Sequence, residues 1–185
     1  CSCLGVGEFV IKLSSISLLC IFCFVSFRSS LYCFSLVSSS VNGDSIPDRV
    51  TNQLWMLIPR YADRLEAIGI IGIERCYQYT KTSNASLFCS DTPFPETEAE
   101  IWQHATLERY QQYSGKSKSM IDHFYDKLLR LSVFPIRNPF FDEMCEQKQR
   151  PLVVFLLKMG KIYSANGEIT DRDVEKILNK LKSEQ

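Results

Sequence analysis

Apolar residues recur at spacings of three and four along most of the chain after residue 42, which is the period of amphipathic α-helices. The first such stripe runs from Ile46 to Ile58, and Pro59 then begins a second helical segment that continues to Ile68. No segment alternates apolar and polar residues for long enough to predict a strand. The pattern therefore predicts an all-α fold. Further helices are predicted over 96–113, 118–131, 140–159 and 171–182.

Several residues mark the expected ends of these helices. Thr170, with Asp173 three residues later, has the pattern of a capping box at the start of the last helix. Gly115 and Gly160 are predicted to end the helices that precede them. The small and apolar string 69–73 predicts a close approach between two helices, and the polar residues 80–95 are predicted to be a loop.

Residues 1–41 differ from the rest of the chain. They are rich in Ser, Cys and large apolar residues, and only Glu8, Lys12 and Arg28 are charged, whereas residues 42–185 have an ordinary charge density. Residues 9–27 are long enough to cross a bilayer as a helix, and their second half resembles the apolar part of a signal peptide. A buried helix and translated non-coding sequence are the other two interpretations. We therefore expect two parts, an apolar segment at 1–41 and a globular part at 42–185.

The overall charge excludes one class of function. Lys and Arg together number 21, as do Asp and Glu, so the formal net charge is zero. Because a general nucleic-acid binder needs a basic excess to displace counterions from phosphates, no nucleic-acid partner is expected. Beyond residue 41 the cysteines are few and scattered, which favours free thiols in a reducing compartment. A cytoplasmic location is therefore expected, with membrane association through residues 9–27 as the alternative.

Asp63 is the first candidate for chemistry. It lies within a largely apolar helical string, and carboxylate oxygen is the ligand that hard divalent cations such as Mg²⁺ and Mn²⁺ prefer. The alternative is an ordinary ion pair with Arg60 or Arg64 on a solvated helix face.

Two strings of this sequence resemble a known enzyme family. Residues 62–69 read Ala-Asp-Arg-Leu-Glu-Ala-Ile-Gly, and residues 71–75 follow with Ile-Gly-Ile-Glu-Arg. Residues 122–131 read Asp-His-Phe-Tyr-Asp-Lys-Leu-Leu-Arg-Leu. In this order the strings resemble the later part of the HD-domain metal-dependent phosphohydrolases, most closely the small members that act on nucleotides. The resemblance covers residues 60–160.

The resemblance implies a metal site to which this chain contributes one ligand. The family holds a divalent metal with a His, an adjacent His-Asp pair and a distant Asp, and the distant Asp corresponds to Asp63. The other three ligands have no counterpart, because the two histidines, His104 and His123, both follow Asp63. The resemblance therefore implies an HD-like helical bundle that is incomplete at its N-terminal end. We expect Asp63 to face a polar site that is open on one side.

The second string adds candidate substrate-binding residues. On a continuous helix His123, Asp126, Lys127 and Arg130 would share one face, and cations near a metal-binding carboxylate can bind the phosphates of a substrate. The resemblance thus implies substrate binding by His123, Lys127 and Arg130. Because Asp63 would lack its metal, we also expect it to have a cationic neighbour, either Lys127 or an arginine. The alternative is a surface ion pair between Asp126 and Arg130.

The expected function follows from the two strings that match the HD family and from the three metal ligands that have no counterpart. We expect a partial or degenerate HD-domain protein that resembles nucleotide phosphohydrolases and is inactive as given. Its partner would be a nucleotide or another phosphorylated small molecule. The alternative is a non-catalytic helical binding or scaffold domain, anchored in a membrane if residues 9–27 are a true membrane segment.

Overall fold

The computed structural model describes residues 51–134 and 139–184, without the side chains of Trp55 and Met56. The apolar segment 1–41 and the start of the stripe from Ile46 lie outside these residues. Within them the chain forms α-helices and short 3₁₀ segments and no strand, which confirms the all-α prediction. The helices are α1 (Ile58–Glu66), α2 (Gly69–Thr82), α3 (Glu98–His104), α4 (Leu107–Gln112), α5 (Met120–Asp126), α6 (Pro139–Asn166) and α7 (Asp171–Ser183).

The long helix α6 forms the centre of the bundle. Its 28 residues span roughly 42 Å at 1.5 Å per residue. It packs against α1, α2, α3, α7 and the 3₁₀ segment Leu128–Ser132, which follows α5. Leu152, Phe155 and Met159 are among its buried side chains. Phe155 stacks on Phe124 of α5 with 5.2 Å between the ring centroids, so α5 is tied to the same core.

Two of the predicted helix starts are confirmed. Pro59 lies in the first turn of α1, where its missing N–H leaves no hydrogen bond unmade. Thr170 and Asp173 form the predicted capping box, with the Asp173 carboxylate accepting from the Thr170 backbone N–H at 3.0 Å.

The single helix predicted over 96–113 is wrong, because the chain breaks between α3 and α4. Ala105 leaves the helical conformation, with φ −84° and ψ 59°. Thr106 is extended, and its hydroxyl accepts the backbone N–H of Arg109 at 3.1 Å. A threonine hydroxyl competes with the helix for backbone donors, so it starts a new helix here instead of continuing the old one.

The helix predicted over 118–131 is also interrupted. α5 ends at Asp126, and Lys127 adopts φ −141° and ψ −62° before the 3₁₀ segment begins at Leu128. Residues on either side of Lys127 therefore do not continue one helical face. The prediction that His123, Asp126, Lys127 and Arg130 share such a face is wrong for this reason.

Two glycines allow close backbone approaches. The predicted helix stop at Gly160 is wrong, since α6 continues to Asn166 and Gly167 follows with φ 74°. A Cβ on Gly160 would lie 2.7 Å from the carbonyl oxygen of Pro95, so glycine lets the loop before α3 rest on α6. The close helix approach predicted at 69–73 is confirmed, because a Cβ on Gly69 would touch the backbone of α6, 3.7 Å from the carbonyl oxygen of Lys148.

Among residues 51–134 and 139–184, no helix combines the length and the apolar character that crossing a bilayer requires.

Candidate functional site

Asp63 lies on the outer side of α1. The opposite side of this helix is buried through Tyr61, Arg64 and Leu65, which fix its orientation in the bundle. Asp63 and Glu66 are consequently exposed. The guanidinium carbon of Arg64 lies 5.8 Å from the centroid of the Tyr61 ring, so the cation next to Asp63 in sequence is turned towards the protein.

Lys127 lies beside α1 because the 3₁₀ segment that follows it packs against that helix. Its side chain is half-buried, and its Nζ lies 5.5 Å from the centroid of the Tyr113 ring. Burial lowers the pKa of Lys127, the negative charge of Asp63 opposes this shift, and the positive charges of Arg75 and Arg64 add to it. The structure thus brings Asp63 and Lys127 within electrostatic range of each other, although they come from separate elements.

His123 of α5 lies beside Tyr113, the residue that follows α4. Its Nδ1 is 3.1 Å from the hydroxyl of Ser117, and the two aromatic rings are 5.5 Å apart. Burial lowers the pKa of His123 to about 4, with a further contribution from the charge of Lys127, while Asp126 opposes the shift. The imidazole is therefore neutral at physiological pH. It can form a hydrogen bond with a ligand, but it offers no positive charge.

Arg130 is separated from His123 and Lys127 by the break at the end of α5. Its Nε is buried and has no hydrogen-bond partner in the described part of the chain. The surface pair expected between Asp126 and Arg130 is wrong, because Asp126 instead accepts Nε of Arg109 from α4. The interruption at Lys127 removes the i, i+4 geometry that such a pair requires.

Sequence reasoning missed a buried polar network around Asp122. The Asp122 carboxylate accepts three hydrogen bonds. The donors are Nη2 of Arg109 at 2.6 Å, the hydroxyl of Ser119 at 2.6 Å and the hydroxyl of Thr92 at 2.8 Å. Ser119 is also the N-cap of α5 and accepts the backbone N–H of Asp122. The signal was present in the sequence, because Ser119 followed three residues later by an acidic residue is a capping pattern.

A cleft of about 300 Å³ opens over this network. Three carboxylates and three cationic side chains line it. Across the cleft, Nζ of Lys118 lies 3.0 Å from Oδ2 of Asp91. Because its charges balance and mostly pair with each other, the cleft has no excess charge with which to attract an ion. Its lining residues are Asp91, Arg109, Lys116, Ser117, Lys118, Asp122 and Asp126.

The described residues do not fit a divalent metal by themselves. No group of three or more His, Cys, Asp or Glu side chains within 51–134 and 139–184 is arranged to hold an ion. Asp63 can offer carboxylate oxygens, but a single carboxylate does not fix the coordination geometry of a divalent cation. His104, the other histidine, is exposed on α3 and lies 5.9 Å from the Tyr125 ring.

Comparison with known proteins gives one similar sequence. "Uncharacterized protein L803" of Acanthamoeba polyphaga mimivirus is 40% identical over 128 residues, which make up 66% of this chain and 51% of the viral protein. The chain thus spans about half the length of this curated relative. No protein-family profile matches the chain. No solved structure matches it either.

Proposed function

We propose that this chain carries the phosphate-binding part of an HD-like domain and binds a nucleotide or another phosphorylated small molecule without hydrolysing it. The observation that supports the proposal most directly is the meeting of Asp63 and Lys127. They come from the two strings that resemble the HD-domain phosphohydrolases, and the fold places the element after Lys127 against the helix that carries Asp63.

Lys127 has the properties of an anion-binding cation. It is half-buried, and within residues 51–134 and 139–184 no carboxylate lies at ion-pair distance from its Nζ. Partial burial of an uncompensated charge is unfavourable, and the attraction of a bound anion would offset this cost. A phosphate oxygen at Lys127 would restore a charge-assisted hydrogen bond and raise the pKa of this lysine towards its ordinary value.

Hydrolysis is not part of the proposal, because this chain supplies one of the four ligands that the HD family uses. Metal-assisted hydrolysis needs an ion held in a defined geometry, so that a bound water loses its proton at neutral pH. Asp63 alone does not provide that geometry. Its proposed role in this chain is to orient the ligand through its negative charge beside Lys127.

The experiment is a calorimetric titration of the full 185-residue chain with ADP in the presence of EDTA. We expect binding that weakens about tenfold or more in Lys127→Met, the cost of one charge-assisted hydrogen bond. Lys161→Met, which removes an exposed lysine of α6, is the matched control and should bind like the unmodified chain. Equal ADP binding by the unmodified chain and Lys127→Met would overturn the proposal, and absence of any binding would leave the scaffold alternative.

A parallel assay measures phosphate release from ADP with Mn²⁺ present. No turnover is expected. Metal-dependent release that disappears in Asp63→Asn would contradict the non-hydrolytic role and would instead place a working metal site at Asp63.

A further inference from the structure

The cleft over the Asp122 network is lined by a serine that is hydrogen-bonded to a histidine. Oγ of Ser117 lies 3.1 Å from Nδ1 of His123, within the range that joins a serine nucleophile to its general base. Ser117 belongs to the turn between α4 and α5, in which Gly115 adopts the positive φ of 97° that favours glycine. His123 lies in α5. The turn and the helix together form the pair.

The Ser117 hydroxyl is available to a ligand, whereas that of the nearby Ser119 is not. Ser119 is buried, donates to the Asp122 carboxylate and accepts the backbone N–H of the same residue. In the described part of the chain, the Ser117 hydroxyl makes one hydrogen bond, the one to His123. Ser117 is half-buried and lines the cleft, and His123 is not among the lining residues. A ligand in the cleft therefore meets the serine hydroxyl.

The His123 imidazole is held in place and can accept a proton. Its ring packs on that of Tyr113, with 5.5 Å between the centroids. Burial, which lowers the pKa of His123 to about 4, keeps the imidazole neutral at physiological pH. With the ring proton on Nε2, Nδ1 accepts the hydrogen bond from Ser117. An imidazole of low pKa is a weak base, so any reaction that it assists is slow.

We propose that Ser117 and His123 act as a Ser–His dyad that transfers the acyl group of a small, uncharged carboxylic ester to water. The class of substrate follows from the cleft, because its charges balance and its volume of about 300 Å³ suits a small molecule. This inference does not rest on the proposed phosphate site at Lys127.

The reaction has two steps that use the same two side chains. Oγ of Ser117 bonds to the carbonyl carbon of the ester while its proton passes to Nδ1 of His123. The bond from that carbon to the alcohol oxygen then breaks, and the alcohol leaves with the proton from His123. Water attacks the acyl-serine in the same way, which releases the carboxylic acid and restores the Ser117 hydroxyl.

Lys116 supplies a cation for the negative charge that develops on the carbonyl oxygen. It is exposed and lines the cleft beside Ser117. No carboxylate in the described part of the chain lies at ion-pair distance from its Nζ, whereas Lys118 pairs with Asp91. A charge placed near a developing oxyanion lowers the barrier to its formation.

The test is covalent labelling of the full 185-residue chain with a fluorophosphonate, followed by mass spectrometry of its peptides. Ser117 should be the main labelled residue, and Ser117→Ala should lose the label. His123→Gln should react about a hundredfold or more slowly, the value of a positioned general base. Ser114→Ala, an exposed serine of the same turn, and His104→Gln, an exposed histidine, are the matched controls and should react like the unmodified chain.

Two further measurements separate a catalytic pair from a structural one. A serine without a base reacts through its alkoxide, so its labelling rate rises with pH, whereas the rate at Ser117 should be nearly constant between about pH 6 and pH 8. This measurement uses the unmodified chain and does not depend on how well His123→Gln folds, which circular dichroism checks. The chain should also release nitrophenolate from para-nitrophenyl acetate, and Ser117→Ala should not.

Label spread evenly over exposed serines, or an unchanged labelling rate in folded His123→Gln, would overturn the dyad. Labelling of Ser117 without release of nitrophenolate would refute acyl transfer to water.

Discussion

Nη2 of Arg109 donates to Oδ1 of Asp122 at 2.6 Å and thereby joins α4 to α5 at the edge of the core. The Asp122 side chain is 6% exposed and that of Arg109 is 29% exposed, so this ion pair is largely withdrawn from water. The other oxygen of Asp122 accepts hydrogen bonds from two hydroxyls, so the carboxylate has three donors in all. A buried charge that is paired in this way destabilises the fold when either partner is removed.

We expect Asp122→Asn to lower the free energy of unfolding by about 2–3 kcal/mol, because the amide cannot replace the charge that Arg109 faces. Denaturant unfolding followed by circular dichroism measures this difference. Asp91→Asn is the control, since its pair with Lys118 is exposed to solvent and should contribute little to stability. Equal stability of the two variants would show that the Asp122 network contributes no more than a surface pair.

Gly160→Ala tests the close approach of the loop before α3 to α6. Helix propensity alone predicts a gain of up to about 1 kcal/mol. The new Cβ would lie 2.7 Å from the carbonyl oxygen of Pro95, which is backbone and cannot rotate away. We therefore expect a net loss of about 1–2 kcal/mol, measured by thermal unfolding. Ser164→Ala, at an exposed position on the same helix, should be neutral or slightly stabilising, and a stabilised Gly160→Ala variant would refute the close contact.

The pKa of His123 predicts a loss of stability in mild acid. The unfolded histidine binds a proton below about pH 6.5, whereas the folded one does so only below about 4. Between these values the unfolded state holds more protons, so stability falls as the pH drops through this window, by roughly 2–3 kcal/mol in total.

His123→Gln should remove this part of the pH dependence, and His104→Gln, which changes an exposed histidine, should not. Urea unfolding midpoints between pH 7 and pH 4.5 provide the measurement. If the slopes of the unmodified chain and His123→Gln coincide, the imidazole is not held in its neutral form by burial.

Lys127→Met should make the protein more stable while weakening its binding of phosphates. The substitution removes a half-buried cation whose pKa burial has lowered, and methionine keeps a contact with the Tyr113 ring. We expect a gain of about 0.5–1 kcal/mol in the free energy of unfolding, measured by denaturant unfolding without ligand. A loss of stability instead would indicate a structural role for this lysine.

The parts of the fold that were predicted correctly depend on local patterns. The start of α1 at Pro59 and the capping box of Thr170 and Asp173 each involve residues a few positions apart, so the sequence displays them directly. The helix predicted over 118–131 rests on apolar spacing that is equally local, and its Phe124 is buried in α5.

The parts that were predicted wrongly depend on contacts between distant segments. Gly160 has the appearance of a helix stop, and only the position of Pro95 shows that it permits a close approach. The pairing of Asp126 with Arg109 rather than Arg130 requires the break at Lys127, which apolar spacing does not reveal. Asp63 could be singled out from its apolar helical context and from the resemblance to a family, but only the packing of α1 against the 3₁₀ segment after Lys127 shows which element lies beside it.

The break between α3 and α4 restricts how this region can change in length during evolution. Thr106 starts α4, and Arg109 reaches two carboxylates of α5 because it lies three residues after that start. One residue inserted or deleted within this turn would rotate Arg109 by about 100° around the helix and direct its guanidinium away from both partners. Homologous sequences should therefore vary in length at the exposed residues 164–168, where α6 ends, far more readily than between Thr106 and Arg109.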